Sequence, residues 1–142
     1  LSFLGNIKDD KIQPLVEALK EVEALKKINL SVKRTGVFPN EENPRFFWLG
    51  LDEGYNAIAD IQSIVDEIST EFKENQRKEK FVPHVTIGRI VDKKKTIKLD
   101  VSTFLNTVYS PIEFSINKVC LYESKLTQEG PRYLVLSKFS LK

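Results

Sequence analysis

Phe81-Val82-Pro83-His84-Val85-Thr86-Ile87-Gly88-Arg89 is the stretch on which the reading of this chain turns. Pro83 introduces a strand predicted over His84 to Val91. In an extended strand residues two apart share a face, which sets the imidazole of His84 beside the hydroxyl of Thr86. Such a pair can hold a phosphate and move a proton. By the same tokens Thr86 is also an ordinary β-branched strand former and His84 a capped strand residue. Arg89 invites a phosphate-binding role because a guanidinium matches two phosphate oxygens, yet simple alternation turns it to the opposite face. Gly88 permits a bulge that would re-aim it.

Upstream, Ile58, Ile61, Val65, Ile68 and Phe72 form the stripe of a helix that runs into a charged segment, Lys73 to Lys80, read as solvated. Before it, Leu30 and Val32 alternate with polar residues toward Phe38-Pro39, and the turn-rich Asn40 to Pro44 leads to an apolar run, Phe46 to Leu51. These are two strands, antiparallel to each other. From Lys11 to Lys27 apolar residues recur at helical spacing, and Asp10 with Gln13 resembles a capping box. Leu1 to Gly5 reads as the tail of an apolar strand stopped by glycine. Downstream, Asp100 is placed to cap a short helix carrying Val101, Phe104, Leu105 and Val108, ended by Pro111. Two long strands, Ile112 to Glu123 and Tyr133 to Phe139, close the chain. This order lacks the strict alternation of a doubly wound parallel sheet and predicts an α+β fold with antiparallel sheets.

With 142 residues, 41% of them hydrophobic, the chain suits one unit or two closely joined lobes. Twenty-two basic against 20 acidic residues leave a formal charge of +2, no electrostatic case for gripping a long nucleic acid. One cysteine excludes an intrachain disulfide, and one histidine with one cysteine cannot supply a zinc site, so neither metal nor cofactor is expected. Cys120 reads as a buried thiol. No apolar run approaches the roughly 20 residues that cross a bilayer, and no leader is visible, which makes a soluble cytoplasmic protein the default; no strong interface pattern is evident, so a monomer is expected. Leu1 does not resemble a natural start, since the chain contains no methionine. His84 is the only histidine, and imidazole is the side chain that exchanges protons near neutrality. Phe81, Trp48, Tyr122 and Tyr133 can stack on a nucleobase or fill a core; Phe81 is the best stacking candidate because it lies near His84 in sequence.

The segment Phe81 to Arg89 resembles the two-histidine phosphoesterases, in the branch of RNA 2',3'-cyclic phosphodiesterases or 2'-5' RNA ligases, whose signature is two His-x-Thr motifs, one per lobe. The likeness extends over Phe38-Pro39, the strand from Pro44 to Leu51, Leu121-Tyr122-Glu123-Ser124 and Gly130-Pro131-Arg132-Tyr133. It implies an α+β fold of two similar lobes, each an antiparallel sheet with flanking helices, facing across a central cleft. His84 and Thr86 would be the second motif, with Arg89 and Phe81 binding substrate. The implied activity is metal-independent hydrolysis of RNA 2',3'-cyclic phosphate ends to a 2'-phosphate, with 2'-5' ligation as the reverse reaction. One histidine takes a proton from water while the other protonates the departing ribose oxygen. Leu1 to Gly5 is similar to the apolar stretch that family members carry directly after their first motif, so residues 1–142 are expected to be a single two-lobed domain lacking its N-terminal segment. Two other readings stay open: a non-catalytic RNA-end or nucleotide-binding module, and a cyclic phosphodiesterase for another small nucleotide.

Overall fold

In the computed structural model, which describes residues 1–73, 80–91 and 99–142, six strands and three helices follow in the order α1 (Asp9–Leu19), β1 (Ile28–Phe38), β2 (Phe46–Glu53), α2 (Tyr55–Ser69), β3 (His84–Arg89), α3 (Ser102–Leu105), β4 (Ile112–Ile116), β5 (Lys118–Thr127) and β6 (Gly130–Ser140). Tighter 3-10 turns extend α1 over Lys20–Ala24 and α2 over Thr70–Phe72. The strands form a four-stranded sheet, β3-β2-β1-β4, and a two-stranded one, β5-β6. The β1–β2, β2–β3 and β5–β6 pairs are antiparallel, giving the expected α+β fold.

The chain divides into two compact units. The first comprises Leu1–Ile28, Ala57–Phe81 and Ser115–Lys142. Its core joins Leu15, Leu19 and Val22 to Ile61 and Val65 of α2 and to Val119, Phe139 and Leu141 of the C-terminal hairpin. The helical stripes read from the sequence are thus the buried faces, because removing apolar area from water is the main favourable term in folding. Backbone bonds from Lys27 N–H to the Lys142 carbonyl and from Lys142 N–H to the Leu25 carbonyl, both 2.8 Å, fasten the chain end beneath α1 and its 3-10 extension.

The second unit comprises Asn29–Asn56 and Val82–Phe114. One face of its sheet is covered by α3: the rings of Phe47 and Phe104 meet edge-to-face at 5.2 Å, and the Thr35 hydroxyl donates to the Leu105 carbonyl at 3.0 Å. Val32, Val37 and Leu51 are buried strand residues of this unit, together with Val101. Asp100 stands one residue before the N-cap of α3, which is Val101, and its Oδ1 accepts the Ser102 N–H at 2.9 Å. Hydrogen bonds from Ser102 hold the Asp100 carboxyl below its ordinary range.

Several expectations need correction. Leu1 to Gly5 is not a strand: no described strand pairs with it, and a ladder requires a partner. Its side chains still alternate, with Phe3 89% exposed and Leu4 packed on the core. The first helix begins at Asp9 rather than Lys11 and tightens after Leu19; Gln13 donates to Glu17 instead of closing a capping box. Lys73 is not solvated, since its ammonium pairs with Asp66, which also accepts from the Ser2 hydroxyl at 2.9 Å. Residues 74–79 of that charged segment lie outside the described residues. The strand at His84 ends at Arg89, not Val91. The third helix stops at Leu105, leaving Val108 at 90% exposure: the Thr107 N–H turns to the Phe104 carbonyl at 3.1 Å, and the Thr107 hydroxyl takes the Thr103 carbonyl at 2.8 Å. The long strand Ile112 to Glu123 is broken at Asn117 into β4 and β5 of different sheets, and the Asn117 carbonyl bonds Leu141 N–H instead. Tyr122 and Tyr133 are exposed rather than core, and Cys120 is half-buried rather than buried. No described helix is long and apolar enough to cross a membrane.

Candidate active site

Register decides what stands beside His84. Across β1, β2 and β3 the pairings align three rows: Arg34, Gly50 and His84; Gly36, Trp48 and Thr86; Phe38, Phe46 and Arg89. Directly opposed residues project from the same side of a sheet, so all three rows share one face. It is the face opposite Phe47, which packs on α3.

The third row exists because β3 carries a bulge. Thr86 opposes Trp48 and Gly88 opposes Phe47, so Ile87 is the extra residue between them. A bulge shifts the alternation by one and returns Arg89 to the face of His84 and Thr86. The facing conflict in the sequence is resolved one residue earlier than Gly88 itself.

His84 is exposed, and its Nδ1 lies 2.6 Å from the carbonyl oxygen of Val82. A carbonyl can only accept, so Nδ1 carries the hydrogen and Nε2 is left as the nitrogen able to take up or deliver a proton. The ring is flanked by two aromatics. Phe38 meets it edge-on with centroids 5.1 Å apart at 82°, and Trp48 stands at 6.0 Å. Phe38 and Trp48 are themselves 5.1 Å apart. Together they limit the rotamers open to the imidazole.

Trp48 reaches this position because its neighbours have no side chains. Its six-membered ring occupies the place of a Cβ on Gly36, and a Cβ on Gly50 would fall 2.8 Å from its Cζ3. The indole Nε1 is buried with no hydrogen-bond partner among the described residues. Such a group costs about 1–3 kcal/mol, a cost characteristic of sites kept for function rather than stability.

Thus His84, Thr86 and Arg89 share one face, with Thr86 between the other two. Phe81 does not join them on β3; it is half-buried and belongs to the first unit. Phe38 and Arg34 were not singled out as site residues from the sequence. The available signal was the glycine pattern: Gly36 and Gly50 flank Trp48 only once the hairpin register is known.

The sequence model of the 2'-5' RNA ligase superfamily matches residues 3–128. This chain belongs to that superfamily. Among curated relatives, an RNA 2',3'-cyclic phosphodiesterase of Thermotoga maritima is 32% identical over 142 residues, covering 96% of this chain and 71% of the relative. One from Aquifex aeolicus is 33% identical over 151 residues, covering 99% of this chain and 76% of the relative. Among solved structures, E. coli LigT complexed with 3'-AMP superposes with a TM-score of 0.74 at 19% identity, over 99% of this chain and 74% of that one. A Thermus thermophilus structure gives 0.67 at 25% identity, over 98% and 74%. The superfamily fold therefore accounts for nearly every residue of this chain.

Proposed function

We propose that this protein hydrolyses 2',3'-cyclic phosphate ends of RNA to 2'-phosphates, with His84 as one of two proton-transfer groups and Thr86 and Arg89 on the phosphate. The observation that carries the reading is the exposed His84–Thr86 pair on one strand face, with Nδ1 committed to Val82 and Nε2 left for chemistry. Relatives named RNA 2',3'-cyclic phosphodiesterase, at 32% and 33% identity over nearly the whole chain, support the substrate class.

In the proposed reaction water attacks phosphorus in line with the bond to the ribose O3'. A base removes a proton from the water as the new P–O bond forms. The P–O3' bond breaks, and an acid protonates O3', leaving the phosphate on O2'. Nε2 of His84 suits either task, as acceptor in neutral imidazole or donor in imidazolium; we assign it the activation of water. The Thr86 hydroxyl and the Arg89 guanidinium donate to the non-bridging oxygens, whose charge grows in the transition state. A histidine pair supplies this chemistry without a metal. We further propose that residues 1–142 belong to a single two-lobed domain; the chain spans 71% and 76% of the relatives' lengths. Phe81, three residues before His84, is the proposed stacking partner of the terminal base, and the protein is proposed to act as a cytoplasmic monomer.

The test is a chelator-treated assay of the full-length protein and its His84→Ala variant on an RNA oligonucleotide ending in 2',3'-cyclic phosphate, with 2'- and 3'-phosphate products separated. Wild type should form the 2'-phosphate, and the variant should lose about 10²–10⁴ in rate. Binding of the RNA end without turnover would identify a binding module instead.

A further inference from the structure

The row Arg34, Gly50 and His84 contains a second cationic group on the candidate face, set apart from the three residues assigned to the reacting phosphate. Its two ends stand on strands separated by β2, so their Cα atoms are about 10 Å apart from the usual inter-strand spacing. Between them Gly50 contributes no side chain, and the Trp48 indole takes the space above it, its Cζ3 2.8 Å from where a Cβ would stand, with the Arg34 Cβ at 3.6 Å. The result is an aromatic surface at Trp48 with a histidine on one side and an arginine on the other.

Arg34 is placed rather than loose. Its backbone carbonyl accepts the Tyr109 hydroxyl at 3.1 Å, fixing β1 at that residue. Its Nε faces Asp52 Oδ1 at 3.5 Å, a long contact between side chains 69% and 40% exposed. That contact engages Nε–H and leaves the Nη donors for a ligand. A single exposed carboxylate at this distance holds the guanidinium weakly.

We propose that Arg34 binds the internucleotide phosphate immediately 5' of the cyclic end, making the end of the Arg34–Gly50–His84 row a subsite for the penultimate linkage of an RNA strand. This rests on the phosphodiesterase reading above and deepens it. The reacting phosphate lies at His84, Thr86 and Arg89. The next anion of the strand follows one nucleoside away, and a nucleoside can lie against the Trp48 indole between His84 and Arg34. A guanidinium suits a phosphodiester, whose two non-bridging oxygens it can meet together. A mononucleotide has no such group, so the subsite discriminates by substrate length. It does so with one arginine, which fits a chain whose formal charge is only +2.

The experiment compares adenosine 2',3'-cyclic phosphate with a trinucleotide ending in the same cyclic adenosine, using full-length wild type, Arg34→Ala and Arg34→Lys. Wild type should prefer the trinucleotide, and the preference should fall as salt is raised. Arg34→Ala should lose about tenfold more kcat/KM on the trinucleotide than on the mononucleotide, through KM, with Arg34→Lys between the two. Equal losses on both substrates, or no loss on either, overturn the subsite. Turnover of neither substrate by wild type counts against the phosphodiesterase reading instead; the subsite is then judged by equilibrium binding of the same two compounds, where an unchanged affinity ratio in Arg34→Ala overturns it.

Discussion

The indole of Trp48 occupies the space that a side chain at Gly36 would need. Because Gly36 and Trp48 are directly opposed on β1 and β2, this is a cross-strand fit, and it sets the aromatic wall beside His84. Gly36→Ala should displace Trp48, cost about 1–3 kcal/mol in urea unfolding and lower activity together with stability. Unchanged unfolding would show that the strand yields without moving the ring.

Thr86 is exposed, so replacing its hydroxyl tests chemistry rather than packing. Thr86→Val should reduce kcat by about 10²-fold with little change in melting temperature, and Thr86→Ser should recover most of the rate. Equal rates for valine and threonine would remove Thr86 from the phosphate.

Arg89 reaches the reactive face only through the bulge at Ile87. Arg89→Ala should raise KM about tenfold. Deleting Ile87 should produce a similar rise, since regular alternation would turn Arg89 to the other face while His84 and Thr86 precede the change. A deletion variant with wild-type KM would break the link between bulge and binding.

Phe139 is 2% exposed at the centre of the first unit's core. Phe139→Ala should destabilise the protein by about 3–5 kcal/mol, measured by chemical denaturation. A loss below about 1 kcal/mol would mean that α1, α2 and the hairpin close over the gap.

Asp100 gives a pH dependence of known sign. Its carboxyl is held below the ordinary range by its hydrogen bonds to Ser102, so the contribution to α3 is present above the unfolded value and disappears as pH falls through the folded one. Amide exchange at Ser102 to Leu105 should therefore quicken on acidification below about pH 4, relative to core amides. In Asp100→Ala the same amides should exchange quickly at neutral pH and lose that dependence.

What was legible in the sequence were the features set by local pattern. Apolar residues at helical spacing marked the buried faces of α1 and α2, alternation and turn residues marked the β1–β2 hairpin, and Asp100 marked the start of α3 to within one residue. The motif around His84 was readable too, because two-residue periodicity puts His84 and Thr86 on one face whatever surrounds them.

Pairing across the chain was not legible, because hydrogen-bond register is a relation between distant segments. Only the assembled sheet sets Arg89 on the side of His84, by leaving Ile87 unpaired, and only it lays Trp48 over Gly36 and lines up Arg34, Gly50 and His84. Likewise, nothing local to Ile112–Glu123 marks the break at Asn117, which exists because the two halves pair with different sheets. The sequence by itself determined which strand carries the imidazole; the tertiary structure decided which cation, glycine and aromatic ring share its face, because a single shift of register moves every side chain of a strand to the other side.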